Sequence, residues 1–305
     1  MIVVVCPGQG SQTPGFLSPW LSEPRFADHL SVLSEAAGID LALHGTTSDA
    51  ETIRNTAVAQ PLIVAAGILT LAALLEGRRG QIGGVAGHSV GEITAATAAG
   101  ILSETDAMTL VRERGSAMAH AAALTPTGMS AVIGGAEEEL LAQLTELGLE
   151  PANFNGGGQI VVAGALDGLM ALKDTPPAGA RVIPLQVAGA FHTRYMSPAV
   201  AHLANVASGI RTCDPALTIW SNRDGTVVSN GATFIDLLVG QVSSPVRWDK
   251  TMDAFASAGV TGLIEIAPAG ALVGLAKRGL KGVPAVAVKT PDDLAAAFDL
   301  IDGKS

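Results

Sequence analysis

Cysteine is nearly absent: Cys6 and Cys213 are the only two in 305 residues, far apart and outside any CxxC pair. Neither a disulfide framework nor a zinc knuckle can be built from them, and both read as reduced core thiols. Basic residues are scarce too, with 18 Lys and Arg against 28 Asp and Glu and a net charge of −10. That sign excludes an electrostatic nucleic-acid footprint and attraction to an anionic membrane surface. Charged residues of both signs reach only 15% while hydrophobic ones reach 48%, so the chain is not a disordered polymer and can bury a sizeable core. The longest apolar run, 61–75, is interrupted by Thr70. It stops short of the roughly 20 residues a membrane span needs and reads as a buried helix. Met1-Ile2-Val3-Val4-Val5-Cys6 lacks the basic region and cleavage site of a secretory signal, so a cytoplasmic location is expected. The six histidines include no HExxH and no ligand-like spacing, which predicts no metal. Gly8-Gln9-Gly10-Ser11-Gln12-Thr13 has Thr where a dinucleotide fingerprint needs its third Gly, and no GxxxxGK[ST] exists, so no cofactor is expected.

What is present is an alternation of strand and helix patterns. The β-branched residues 2–6 run into Pro7-Gly8; apolar helical stretches follow at 26–37 and 59–75, the second with Pro61 suited to a first helical turn. A short strand at 83–88 precedes helices at 90–99 and 104–121, the latter opened by Ser103 with Asp106 three residues on. Such alternation predicts an α/β fold with a mainly parallel sheet covered on both faces. After Ala123 the order becomes strand, helix, strand, strand, helix, strand, at 129–133, 137–147, 151–154, 159–163, 166–173 and 181–185. This is the split βαβ pattern of a ferredoxin-like unit. The expected organisation is a larger α/β-hydrolase-like domain from 1–123 and 189–305, with a smaller ferredoxin-like subdomain inserted at 124–188. Helices at 198–207, 234–239, 249–258 and 292–301 and strands at 217–220 and 262–266 complete the larger domain.

Gly87-His88-Ser89-Val90-Gly91 is a GxSxG placed between a strand and a helix, the context in which a sharp turn lifts Ser Oγ clear of the backbone. The alternative is a Gly-Ser loop used only for chain reversal. A serine nucleophile needs a base and an oxyanion pocket. His192, in Gly189-Ala190-Phe191-His192, and the backbone amides of Gly8-Gln9-Gly10 are candidates; a structural histidine and an ordinary tight turn are the alternatives. Arg114 shares a helical stripe with Ala107, Leu110, Val111 and Met118 and has no carboxylate at i±3 or i±4. A partly buried guanidinium there must be neutralised by something distant, or snorkel.

Together, Pro7-Gly8-Gln9-Gly10-Ser11-Gln12, Gln60-Pro61, Gly87-His88-Ser89-Val90-Gly91-Glu92, Arg114-Gly115-Ser116-Ala117-Met118, Asn153-Phe154-Asn155, Gly189-Ala190-Phe191-His192 and Gln241-Val242-Ser243-Ser244-Pro245-Val246-Arg247-Trp248 resemble, in order and over nearly the whole chain, the malonyl-CoA:acyl carrier protein transacylases of fatty-acid and polyketide synthesis. The resemblance implies a ping-pong malonyl transfer to the phosphopantetheine thiol of an acyl carrier protein, by a monomer. It implies that Ser89 is acylated, that His192 is its base, and that the amides of Gln9 and Val90 form the oxyanion hole. Arg114 then grips the malonyl carboxylate, a main-chain carbonyl at Gln241 orients His192, and Asn155 helps shape the pocket. Phe191 is expected to narrow the space beside the malonyl α-carbon. Val90 stands where Leu is common in the family, but only its N–H matters.

Two competing readings share parts of this pattern. A serine esterase or thioesterase of α/β-hydrolase type would need an acid between Ser89 and His192, and Asp106 and Asp167 fall in helical stretches rather than post-strand loops. A non-catalytic carrier-docking module would dispense with Ser89 or His192, and both are present.

Overall fold

The β-branched residues Ile2–Cys6 form β1, and a run without polar alternation is suited to a strand covered on both faces. The computed structural model describes residues 1–304. Its strands are β1 (Ile2–Cys6), β2 (Ile82–Gly87), β3 (Thr127–Gly134), β4 (Glu150–Gly156), β5 (Gln159–Ala165), β6 (Ala180–Pro184), β7 (Thr218–Trp220), β8 (Val246–Arg247), β9 (Gly262–Glu265) and β10 (Ala285–Ala287). Its helices are α1 (Ser18–Leu21), α2 (Pro24–Ala37), α3 (Leu41–Thr46), α4 (Thr56–Leu75), α5 (Gly91–Ala99), α6 (Glu104–Ala123), α7 (Glu137–Glu146), α8 (Leu166–Asp174), α9 (Ser197–Ser208), α10 (Gly231–Gln241), α11 (Trp248–Ser257), α12 (Ala271–Gly279) and α13 (Leu294–Ile301). The fold is α/β, with two sheets of five strands.

The first sheet has the order β10-β9-β1-β2-β7, and every pair in it is parallel. Along β1 the side chains alternate between layers: Val4 and Cys6 enter the helical core that holds α4, while Val3 and Val5 meet Trp220, Trp248 and Phe255 on the other face. The second sheet has the order β6-β3-β5-β4-β8 and is antiparallel except for β4 with β8. Its first four strands with α7 and α8 follow the split βαβ order. Its fifth, β8, comes from much later in the chain.

Three details differ from the sequence pattern. Helix α4 starts at Thr56, capped by the Asn55 side chain accepting from the Ala57 N–H, so Pro61 lies inside the helix instead of in its first turn. At 20 residues with a window hydropathy of 2.2 it is long and apolar enough to cross a membrane, yet 83% of that window is buried against the rest of the protein. Cys213 is exposed, unlike Cys6, because it sits in the irregular connection after α9 rather than in the core. Burial pushes the Cys6 thiol up.

Helix α12 had no local signal. It starts after Gly270 at φ +110° with no capping side chain of its own. Its cap comes from β9: fully buried Glu265 accepts the Leu272 and Val273 N–H groups at 3.0 and 2.8 Å. The cap matters because α12 walls the cavity described below. Glu265→Gln should place an NH2 group against one of these two donors and lower unfolding free energy by about 1 to 3 kcal/mol. Chemical denaturation measures this, and a loss below about 0.5 kcal/mol would remove Glu265 as the cap.

Candidate active site

At the C-terminal end of β2 the chain turns within three residues into α5, and Ser89 stands at φ +54°. A side chain there is strained, which is how a nucleophile is lifted clear of its own backbone. Glycine is required on both flanks. A Cβ on Gly91 would collide with the Cys6 carbonyl and one on Gly87 with the Gly91 carbonyl, so α5 can cross β1 and β2 only over bare backbone.

Ser89 Oγ is 2.6 Å from His192 Nε2, and His192 Nδ1 is 2.8 Å from the Gln241 carbonyl. A carbonyl only accepts, so Nδ1 carries the proton and Nε2 is left as the acceptor facing the hydroxyl. His192 is itself at φ +62°, with its N–H donated to the Val242 carbonyl. Burial first, and then the Arg114 guanidinium, push its pKa down to about 3, so the imidazole is neutral at physiological pH. No carboxylate occupies the third position. Asp106 caps α6 with Ser103, whose Oγ accepts its N–H at 3.1 Å, and Asp167 is in the first turn of α8. The amides of Gln9 and Val90 line the same cavity, and among the described residues neither donates to a protein acceptor.

Arg114 is 1% exposed. Its Nη1 donates to Gln60 Oε1 at 2.5 Å and its Nη2 to Gln241 Oε1 at 2.7 Å, with Ser89 Oγ 3.4 Å away. The sequence left a distant partner or snorkelling open, and the resemblance added a substrate carboxylate; the fold supplies two amide oxygens and, behind one of them, Glu92. The Gln241 Nε2 donates to Glu92 Oε2 at 2.5 Å, and the Asn222 N–H to Glu92 Oε1 at 2.6 Å. Burial pushes the Glu92 carboxyl up to about 8, outweighing the opposing pull of these donors and Arg114. Burial also lowers Arg114 to about 10, which leaves it charged. Helical periodicity could not show this pairing because Glu92 comes from α5 and Gln241 from α10. A signal did exist: Glu92 is the only charged residue in α5, which is otherwise almost entirely buried.

These groups open on a cavity of about 330 Å³ between the two sheets. Phe191 is on its wall beside His192, and Leu275 and Arg278 of α12 stand across from it. Asn155 reaches it from β4, but its polar atoms are engaged, accepting from His88 Nε2 at 2.9 Å and donating to Gln159 Oε1 at 3.0 Å. Its contribution to the wall is therefore through a bond to the turn that carries Ser89. Among the described residues no cluster of three His, Cys, Asp or Glu could hold a metal. A serine hydroxyl on a neutral imidazole, beside free amides and a buried cation, is equipped for nucleophilic acyl transfer from a substrate that carries a negative charge.

The family model described as acyl transferase domain matches residues 3–292. Malonyl CoA-acyl carrier protein transacylase of Mycobacterium tuberculosis is 52% identical over 298 residues, covering 96% of this chain and 98% of that protein. The crystal structure of MCAT from Mycobacterium tuberculosis superposes with a TM-score of 0.94 at 51% identity, over 97% of this chain and 99% of that one. A malonyl-transacylase in complex with its type II PKS acyl-carrier protein superposes with a TM-score of 0.92 at 31% identity, over 98% of this chain and 99% of that one.

The depressed pKa of His192 has a direct signature. An ordinary imidazole is half protonated near pH 6.5. His192 should remain neutral at pH 5 when followed by ¹⁵N NMR of labelled imidazole, and an inflection at or above pH 6 would contradict the burial and the Arg114 field. Because the unfolded chain takes up this proton and the folded chain does not, His192 should also withdraw stability as pH falls below about 6.5.

Proposed function

The chain belongs to the acyl transferase family, and from that membership we propose that it carries a malonyl group from malonyl-CoA to the phosphopantetheine thiol of an acyl carrier protein. Ser89 Oγ attacks the thioester carbonyl while His192 Nε2 takes its proton. The Gln9 and Val90 amides hold the oxyanion. Collapse breaks the C–S bond, the coenzyme A thiolate recovers the proton from His192, and the malonyl group is left as an ester on Ser89. The carrier's thiol then gives its proton to His192 and attacks the ester; the ester C–O bond breaks, and the departing Ser89 oxygen takes the proton back from His192. One channel serves both halves because coenzyme A and the carrier present the same pantetheine arm. The observation that carries this reading is the 2.6 Å contact of Ser89 with His192 beside the Arg114 guanidinium.

Arg114 receives the malonyl carboxylate with the Nη atoms that Gln60 and Gln241 already aim into the cavity. Gln241 orients His192 through its carbonyl, a neutral partner that suits a base needed in its unprotonated form. Phe191 narrows the space beside the α-carbon, and Asn155 shapes the pocket through His88. In the division we propose, 1–123 with 189–305 is the catalytic body and 124–188 an inserted cover. All of these groups come from one chain, in keeping with a monomer, and the one helix among the described residues apolar enough to span a membrane is buried core, in keeping with work in the cytosol.

Incubation with malonyl-CoA should add one malonyl group per chain, and peptide mapping should find it on Ser89; a label elsewhere would sink the mechanism. Arg114→Ala should lower kcat/KM for malonyl-CoA far more than for acetyl-CoA. Truncating one member of a buried charge pair costs about 2 to 5 kcal/mol, which is on the order of thirty-fold to several-thousand-fold in the ratio of the two. Arg114→Lys should restore that ratio only in part, since a point charge cannot reproduce the paired donors. An unchanged ratio in Arg114→Ala would place the carboxylate elsewhere.

A further inference from the structure

Strand β2 pairs with β7 in parallel register, ending with Ala86 opposite Trp220. Two residues past Trp220 the ladder is continued by a side chain. Asn222, 1% exposed, donates from Nδ2 to the Gly87 carbonyl at 2.6 Å and accepts the Ser89 N–H on Oδ1 at 2.7 Å. A residue in a parallel strand bonds the C=O and N–H on either side of its neighbour, and the Asn222 amide does the same around His88. Its orientation is fixed, because Gly87 O only accepts and Ser89 N only donates. The residue itself is anchored twice: its N–H goes to Glu92 at 2.6 Å, and the Arg247 N–H comes to its carbonyl at 2.7 Å. Gln241 Nε2 adds a second donor to Oδ1 at 3.2 Å. The strained turn at Ser89 therefore has a brace on the side away from the cavity, and the Ser89 N–H is directed into that brace.

We propose that Asn222 is a positioning residue, whose side chain holds the Ser89 turn so that Oγ meets His192. The proposal rests on Ser89 being the acylated residue. A structural role in closing the β7 loop would need only the backbone bonds of Asn222. The positioning role needs both ends of its side-chain amide.

That difference can be tested by the rate of malonyl-enzyme formation in a single turnover, read by mass spectrometry of the intact protein and mapped to Ser89. Asn222→Ala should be slower by on the order of a hundred-fold, the usual cost of a misplaced reacting group. Asn222→Asp discriminates further and covers the case in which the alanine variant does not fold. Ionised, the new carboxyl accepts from Ser89 but repels the Gly87 carbonyl; protonated, it donates to Gly87 and restores the native pattern. Glu92 on α5, which burial pushes up to about 8, titrates in the parent as well, which is why the ratio to the parent is read; Arg114 on α6, His88 and His192 are common to both, Arg247 pairs with Asp249, and Arg223 and Asp224 pair with each other in solvent. The rate of Asn222→Asp relative to the parent at each pH should therefore rise tenfold or more between pH 8.5 and pH 5.5. A flat ratio, or an alanine variant within threefold of the parent, overturns the proposal while leaving the Ser89 mechanism intact. A parent labelled at another residue overturns both.

Discussion

A guanidinium held out of water sets conditions on everything around it. Arg114 is nearly inaccessible in a chain of net charge −10, so its burial cannot be explained by bulk charge and has to be offset locally. Amide oxygens from α4 and α10 do part of this, and the Glu92 carboxyl on α5 lies behind the Gln241 amide. The same cation lies close enough to His192 to help keep that imidazole neutral. One buried charge thus leaves a cation and a neutral imidazole side by side on the cavity wall. It also constrains Gln241, whose oxygen must face Arg114, whose nitrogen must face Glu92, and whose carbonyl holds His192.

The groups that were legible in the sequence are those with local signatures. The Gly87 and Gly91 flanks announced the turn at Ser89 because the whole GxSxG pattern falls within five residues, and the cap of α6 was visible because Ser103 and Asp106 sit three apart. The split βαβ order was readable for the same reason, since each element carries its own periodicity. What stayed hidden depends on distant partners. Helix α12 is capped from β9, β8 is two residues long and pairs with a strand about ninety positions earlier, and Asn222 follows a three-residue strand with no motif around it. Arg114 shows both sides: its stripe indicated burial, but its counter-charge was invisible because three other helices supply the partners.

The turn at Ser89 is consequently shared between layers. Asn222 braces it from the end of β7, Gly8 packs against His88 from the end of β1, and Asn155 bonds His88 from the second sheet. Three connections from separate parts of the chain converge on three residues, and the strain at Ser89 can persist because the surroundings over-determine it.

The placement of β1 has a consequence for biosynthesis. Its neighbours are β2 on one side and β9 on the other, so during synthesis one edge of β1 stays unpaired until residues 262–265 have emerged. The second sheet likewise waits for Val246–Arg247. Until β9 has emerged, the nascent chain exposes a β-branched edge of the kind that recruits other strands. A ribosome stalled before Gly262 is added leaves that edge of β1 open.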